Sequence, residues 1–268
     1  MMREMTMGRY LPGDSIIHKS DPRTKLILTA IFMTAVFIVD SYTALLLLLG
    51  FILFVAILSG KPLQYALRGL RPVLCLSLFA VVMNLFSVSG TPLTEHGILS
   101  HISREGIDLA TKMVLRLLLL ASVASLLTFS TTPLSLTDGL ERLLKPLNRI
   151  GVPVHEIAMM ISMALRFIPA IMEETERIIK AQASRSADLA GGNALKRAKS
   201  CLPIILPLFA GAFRRGDELA TAMEARCYRG NRGRTSMRPP GFSLADLKSA
   251  AVMVVFLTTL MFVEYGRF

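Results

Sequence analysis

Residues 26–58 read LILTAIFMTAVFIVDSYTALLLLLGFILFVAIL and contain one charged side chain, Asp40. Two apolar runs, 26–39 and 44–58, flank the polar stretch DSYT, and this pattern predicts two helices joined by a tight turn. Each run is slightly shorter than the roughly 20 residues of a straight membrane span, but flanking residues can extend both helices. A single charge in 33 residues favours a hairpin in a bilayer over a buried hairpin of a soluble protein.

Three further apolar runs follow along the chain. They cover residues 73–88, 107–129 and 244–263, and the last has 20 residues, or about 30 Å of helix. We therefore predict an all-α membrane protein with about five transmembrane helices and long cytosolic amphipathic helices. The predicted parts are a cytosolic N-terminal segment (1–25), a four-span region (26–129), a cytosolic region (130–242) and a final transmembrane helix (243–268).

Two of the predicted spans begin with recognisable start signals. Asp21 followed by Pro22 is typical of a helix N-terminus, because the carboxylate accepts from a free amide and proline fits the first turn. Ser243 and Asp246 form a pattern like a capping box before the last run. No apolar run precedes Leu26, so we expect no signal peptide and entry into the membrane through an internal span.

The distribution of basic residues predicts the topology. Five Lys or Arg precede Leu26 and three lie between the second and third runs, whereas the opposite side carries Arg104 and Arg267 alone. The positive-inside rule then places the N-terminus and residues 130–241 in the cytosol and the C-terminus outside. The net charge of +11 does not indicate nucleic acid, because Trp is absent and no basic stripe alternates with aromatic residues.

Motifs for catalysis, metals and cofactors are absent from the sequence. There is no Walker A, GxSxG, HExxH or CxxC pattern, the four His lack metal-ligand spacing, and Cys75, Cys201 and Cys227 are far apart. Two alternative functions remain open at this point. A membrane-embedded enzyme acting on lipid-linked substrates would use charged residues in or near the apolar runs: Asp108, Lys112, Arg116 or Arg166. A stand-alone permease would need a pocket with convergent polar groups, which the apolar runs do not show.

Region 130–242 contains two similar units at an offset of 41 residues. Each unit has an apolar stretch followed by a charged helix, and the offset aligns Arg185 with Arg226, Ala181 with Ala222, and Ser186 with Cys227. The Ala lies four residues before the Arg, on the same helix face, so a partner surface can approach the guanidinium closely. One such Arg would be explained by the helix dipole alone, but two in matched contexts favour docking to a partner.

Several motifs occur in order along the chain, and together they carry a family resemblance. They are Asp21-Pro22-Arg23-Thr24-Lys25-Leu26, Thr131-Thr132-Pro133 with Gly139-Leu140-Glu141 and Pro146-Leu147, Arg166-Phe167-Ile168-Pro169, and the two Arg-ended units. With these motifs the chain resembles the transmembrane T component (EcfT) of energy-coupling factor transporters, which are prokaryotic ABC-type importers of vitamins and metal ions. The resemblance spans nearly the whole chain.

The resemblance implies a non-catalytic subunit of the prokaryotic inner membrane, without cofactor or metal. Its implied partners are two ABC-type ATPase subunits and a substrate-binding membrane subunit, within the lipid bilayer. The implied ATPase-docking residues are Ala183, Ser184, Arg185, Ser186, Ala225, Arg226 and Cys227, with Ala181 and Ala222 in support. The chain departs from the family pattern at Ser186 and Cys227, where Gly is common, and this leaves the local backbone fit open.

Overall fold

The computed structural model describes residues 15, 20–60, 73–84, 103–185, 194–230 and 244–266. These residues contain α-helices and no β-strand, in agreement with the predicted all-α membrane fold. The helices, in chain order, are α1 (Pro22–Ile38), α2 (Tyr42–Leu58), α3 (Val73–Asn84), α4 (Arg104–Ser130), α5 (Pro133–Leu144), a 3-10 helix (Lys145–Ile150), α6 (Val154–Ser184), α7 (Ala194–Ala225) and α8 (Leu244–Tyr265).

The chain forms two compact units. The first unit comprises residues 1–143 and 239–268, and the second comprises residues 144–238. The predicted cytosolic region, 130–242, remains a prediction, because compactness does not report the side of a membrane. Residues 1–14 and 16–19 of the predicted N-terminal segment, residues 85–88 of the predicted third apolar run, and Ser243 of the predicted cap lie outside the described residues.

The core of the first unit lies between α1, α2, α4 and α8. Its largest fully buried side chains are Phe32, Leu45, Leu48, Leu119 and Val36. Three aromatic rings extend this core from one helix to the next, because Phe51 stacks on Phe32 and on Phe256 with centroids 5.9 and 4.0 Å apart. Stacked rings at these separations add specific contacts to the burial of apolar area, and they fix α2 against α1 and α8.

The outer surface of the first unit exposes many large apolar side chains. Phe37, Ile57 and Phe262 expose 66%, 69% and 77% of their surface, and many other large apolar side chains are exposed beside them. Such a surface in water would drive aggregation, whereas hydrocarbon is a suitable solvent for it. Helices satisfy their own backbone groups, which is what a bilayer requires of the segments that cross it.

Helix lengths agree in part with the predicted spans. Among the described residues, α4, α6 and α8 are long and apolar enough to cross a membrane, and α2 and α3 are shorter apolar helices. Helix α6 lies in the region predicted to be cytosolic, although its length and composition also suit a span. Length and composition do not decide between these locations, so the count of about five spans and the cytosolic position of α6 remain predictions.

The start of α1 is capped by Asp21 as expected, and Asp246 at the start of α8 makes an additional contact with α1. The Asp21 carboxylate accepts from the amide of Arg23 at 3.0 Å, with Pro22 as the first helical residue. Asp246 does not act only within its own helix: its Oδ1 accepts from the buried amide of Asp21 at 2.7 Å. A carboxylate that binds an amide 225 positions away ties the start of α8 to the start of α1.

Candidate functional site

The two sequence units end at equivalent places in the structure. Helix α6 ends at Ser184 and α7 at Ala225, so Arg185 and Arg226 are each the first residue beyond a long helix. The amide of Arg185 donates to the carbonyl of Gln182 at 3.1 Å, and the amide of Arg226 donates to the carbonyl of Met223 at 3.1 Å. Helix ends and terminal hydrogen bonds therefore repeat at the 41-residue offset of the sequence.

Both arginines are exposed, together with the small residues that accompany them. Neither guanidinium forms an ion pair with a residue in the described part of the chain. The exposed small residues are Ala181, Ala183 and Ser184 before Arg185, and Ala222 and Ala225 before Arg226. Ser186 lies outside the described residues. The arrangement presents two exposed arginines at helix ends, and a guanidinium group can bind carboxylate or carbonyl oxygens.

Cys227 shows how the second helix end accommodates a residue other than glycine. Its φ is 57°, in the left-handed region that favours glycine, and Cys227 is the non-glycine residue with positive φ in the described part of the chain. Its amide donates to the carbonyl of Glu224 at 2.9 Å, and the amide of Tyr228 donates to that of Met223 at 3.0 Å. These are the two hydrogen bonds of a Schellman motif, so Cys227 ends α7 as a glycine would, at a cost in backbone strain.

Helices α6 and α7 contact each other through an ion pair and a hydrogen bond, neither of which was predicted from the sequence. The guanidinium of Arg215 binds the carboxylate of Glu174, and the side-chain amide of Gln182 donates to the carbonyl of Pro203 at 3.4 Å. Glu174 precedes Gln182 on α6, but the partner of Glu174 on α7, Arg215, comes after the partner of Gln182, Pro203. The two helices are therefore antiparallel where they touch. The 41-residue offset, which aligns Glu174 with Arg215, is the signal that would have revealed this pair.

The family motifs of the first unit meet at one end of the helix bundle. Lys25 donates from Nζ to the carbonyl of Ser130 at 3.0 Å, which satisfies a terminal carbonyl of α4. A Cβ added at Gly139 would lie 3.0 Å from Cβ of Pro22, so α5 packs closely on the start of α1. The motifs around Asp21, Thr131 and Gly139, separate in sequence, thus form one structural junction, which also includes Asp246.

Three of the four charged residues considered for an enzyme, Asp108, Lys112 and Arg116, have structural contacts. Lys112 pairs with Asp108 at 2.8 Å, within one face of α4 as their spacing allows. Arg116 donates to the carbonyl of Val39 at 2.6 Å and pairs with Asp40 at 2.5 Å, so it holds the turn between α1 and α2. Arg166 belongs to the second unit and is exposed on α6. The described residues contain no cluster able to hold a metal ion.

A cavity of about 370 Å³ opens within the first unit. Its walls are mainly aliphatic and aromatic side chains of α1, α2, α4 and α8, including Phe32, Phe51 and Val123. Polar lining groups gather at the end that contains Lys25, Ser130 and Lys248, and the first two are already bonded to each other. Asp21 and Asp246 lie close enough to Lys25 to interact with its charge, so the basic groups at this end do not form an uncompensated anion site.

Comparison with known proteins shows which family this chain is similar to. Residues 13–237 match the family described as cobalt transport protein, CbiQ. A Ruminiclostridium cellulolyticum protein named energy-coupling factor transporter transmembrane protein EcfT is 52% identical over the full length of both chains. Proteins of the same name from Thermosediminibacter oceani and Lactococcus lactis subsp. cremoris are 51% identical over 92% and 41% identical over 99% of each chain.

The apolar helices and these matches define the chain as a membrane-embedded component of a transport system. Such a component is a transport subunit rather than an enzyme, so the alternative based on Asp108, Lys112, Arg116 and Arg166 is set aside. Within this class, the chain belongs to the EcfT family of transmembrane components of energy-coupling factor transporters. It therefore works in a membrane complex with other subunits of such a transporter.

Proposed function

We propose that the chain couples two ABC-type ATPase subunits to a substrate-binding membrane subunit during import of a vitamin or another micronutrient. One observation carries the proposal. Two long helices end at equivalent positions in an exposed arginine, and each arginine follows exposed small residues. A pair of equivalent docking ends suits a pair of homologous partners, which is what two ABC-type ATPases provide. The substrate-binding subunit selects the cargo.

The proposed docking residues act by shape and charge. Arg185 and Arg226 insert their guanidinium groups between acceptor atoms of the ATPases, where partial desolvation strengthens charge-assisted hydrogen bonds. Ala183, Ser184, Ser186, Ala225 and Cys227, with Ala181 and Ala222 one turn earlier, keep the surrounding surface small so that the ATPase can come close. When ATP draws the ATPases together, α6 and α7 move with them, and their apolar halves displace the bound substrate-binding subunit. The ATPases must hold these helices differently in their two nucleotide states, since equal contact would transmit nothing.

Charge reversal of both arginine ends tests the docking role. The Arg185→Glu/Arg226→Glu double variant places carboxylates where the partners are proposed to offer acceptors, so we expect co-purification of the ATPases to fall at least tenfold. Arg177→Glu with Arg214→Glu is the matched control. It makes the same charge change at exposed positions of the same two helices, away from their ends, and should retain the ATPases. Membrane insertion is checked by the yield of each variant in detergent extracts. Undiminished capture of the ATPases by the first variant would reject the docking role.

The proposed topology can be tested with a native residue. Cys227 is exposed beside Arg226, and replacement of Cys75 and Cys201 by Ser leaves it as the reporter thiol. A maleimide that does not cross membranes should label it in inside-out vesicles and not in intact cells, if the N-terminus and region 130–242 are cytosolic and the C-terminus is outside. Labelling in intact cells would place this helix end on the wrong side for ATPase docking.

A further inference from the structure

The cavity of the first unit is elongated along its helices. Helix α1 lines the cavity with residues from Lys25 to Phe32, and α4 lines it with residues from Val123 to Ser130. Within each helix these residues are three or four positions apart, so each set forms a stripe along one face. Both stripes extend over seven residue steps, which is about 10 Å of helix. The cavity is therefore long and narrow, as a lipid chain is.

One end of the cavity is polar. Lys25 donates from Nζ to the carbonyl of Ser130 at 3.0 Å, so the polar ends of the α1 and α4 stripes lie at the same level. Asp246 accepts the amide of Asp21 at 2.7 Å, which brings the start of α8 to this level as well. The α8 residue that lines the cavity next to this start is Lys248. Polar groups from three helices thus meet at one end.

The other end of the cavity is apolar and closed by packed side chains. Phe32 and Phe51 stack there with centroids 5.9 Å apart. Val123 and Met253, which also line the cavity, belong to the buried core. Apolar cavities of this kind stay dry and take up apolar molecules, because water finds no hydrogen-bond partners in them. A polar end and an apolar body together match an amphiphile rather than a polar solute.

The rim of the cavity belongs to the apolar outer surface of the first unit. Phe54, Leu58 and Val252 line the cavity, and each exposes about half of its surface. Hydrocarbon chains of a bilayer are the solvent that suits such a surface. An acyl chain can therefore enter the cavity from the bilayer without crossing a polar barrier.

Lys248 is the exposed cation at the polar end. It forms no ion pair with a residue in the described part of the chain, whereas Lys25 is bonded to Ser130 and lies near the charges of Asp21 and Asp246. Two acids accompany the two lysines, so we expect little affinity for a free anion. A phosphate attached to an acyl chain differs, because the chain supplies most of the binding energy and Lys248 then favours the phosphate.

We propose that the cavity binds an acyl chain of a membrane phospholipid, with the lipid phosphate at Lys248. The chain supplies packing contacts that the walls of an empty cavity lack. The bound lipid contacts all four helices and so becomes a part of the packed unit. The proposal concerns the first unit alone, and it holds whether or not Arg185 and Arg226 dock to ATPases.

Native mass spectrometry of the full chain tests the proposal. The chain is purified in a mild detergent, freed of lipid, and titrated with dioleoyl phosphatidylglycerol, with dioleoylglycerol or with inorganic phosphate. We expect one phosphatidylglycerol molecule to bind with saturation. Dioleoylglycerol should bind about fivefold more weakly, the factor for one lysine beside a lipid phosphate. Inorganic phosphate should not bind, because it lacks the chain.

Variants of the wall and of the polar end should act differently. Val123→Trp enlarges a wall residue and should weaken phosphatidylglycerol binding at least tenfold. Val255→Trp is the matched control, because Val255 is 65% exposed on α8 and does not line the cavity. Lys248→Gln should weaken phosphatidylglycerol binding about fivefold and leave dioleoylglycerol binding unchanged. Lys180→Gln, at an exposed position of α6, should change neither.

Thermal denaturation shows whether each variant is folded. Phosphatidylglycerol should raise the Tm of the parent chain and of Val255→Trp, because a ligand of the folded state stabilises it. It should not raise the Tm of Val123→Trp, whose Tm without lipid should equal or exceed that of the parent. Lys248→Gln changes an exposed side chain, so its result stands even if Val123→Trp does not fold.

The outcomes decide between a lipid and the other occupants. Several phosphatidylglycerol adducts of equal strength, unchanged by Val123→Trp and by Lys248→Gln, would overturn the proposal. Phosphatidylglycerol with a diazirine on one chain should label α4 and α8 at the cavity wall, both in the chain alone and in its transporter complex. Loss of this labelling in the complex, with protection of the wall by the substrate-binding subunit, would assign the cavity to that subunit and overturn the proposal.

Discussion

Replacement of Gly139 by Ala tests the junction of α1 and α5. Gly139 is buried in α5, and an added Cβ would lie 3.0 Å from Cβ of Pro22 and 3.3 Å from the amide nitrogen of Arg23. The amide of Arg23 is held by the Asp21 carboxylate, and the amide of Asp21 by Asp246, so this backbone has little freedom to retreat. We therefore expect the methyl group to force a shift at the start of α1.

The expected free-energy change combines two opposing effects. Extra methyl groups in a well-packed site typically cost about 1–3 kcal/mol, whereas Gly→Ala in a helix interior gains about 0.8–1.0 kcal/mol. The net expectation is a destabilisation of roughly 0–2 kcal/mol. Gly216→Ala is the matched control, because Gly216 lies inside α7 with nothing within 4 Å of an added Cβ. The difference between the two variants cancels the helix-propensity gain and isolates the cost of the close contact, about 1–3 kcal/mol.

Thermal denaturation of the purified chain in detergent micelles, followed by circular dichroism, measures this difference. For a chain of this size 1 kcal/mol corresponds to a shift in Tm of about 2–4 °C, so Gly139→Ala should melt about 2–12 °C below Gly216→Ala. Gly139→Ala melting at or above Gly216→Ala would refute the reasoning, because it would mean that α5 does not press on the start of α1.

Two further predictions concern the ends of helices. Cys227→Gly should stabilise the end of α7 by about 0.5–1 kcal/mol, because it relieves a left-handed non-glycine conformation while adding some unfolded-state entropy. Thermal denaturation should show a rise in Tm for Cys227→Gly. Ala225→Gly, in the last helical position, should lower Tm, and a fall for both variants would disprove the strain at Cys227. Asp246→Ala should cost about 1.5–3 kcal/mol, because it removes the charged acceptor of the buried Asp21 amide. Asp246→Asn keeps an acceptor and should cost less in the same assay, so equal losses would show that this hydrogen bond is not what Asp246 contributes.

The sequence was a good guide wherever the signal was local. The apolar run at 26–39 became a helix from Pro22 to Ile38, and the run at 244–263 a helix from Leu244 to Tyr265. The predicted arginine ends also lie at helix ends, because helix termination depends on a few neighbouring residues. The role of Arg185 and Arg226 in docking stays a prediction, since it depends on partner surfaces that are separate chains.

Contacts between distant residues were beyond the reach of pattern reasoning. Asp246 was expected in the first turn of its own helix, where it lies, and it also accepts the amide of Asp21. Arg116 was considered only as a candidate catalytic residue, and it holds the turn at Asp40. Each choice depends on which polar group folding brings within about 3 Å, and an isolated helix carries no record of that neighbour.

By itself, the sequence determined that this chain is helical, that it belongs in a bilayer, and that two matched helices end in arginine. These properties follow from hydrophobic runs and helix-end signals, which act over one helix or less, and from a repeat that is visible when two stretches of the sequence are compared. Only the tertiary structure decided that Glu174 forms an ion pair with Arg215, and that Gly139 packs closely against Pro22. The physical reason is that the energy of an ion pair or a close contact depends on the distance between two side chains. When these belong to different helices, that distance is set only once the helices have packed.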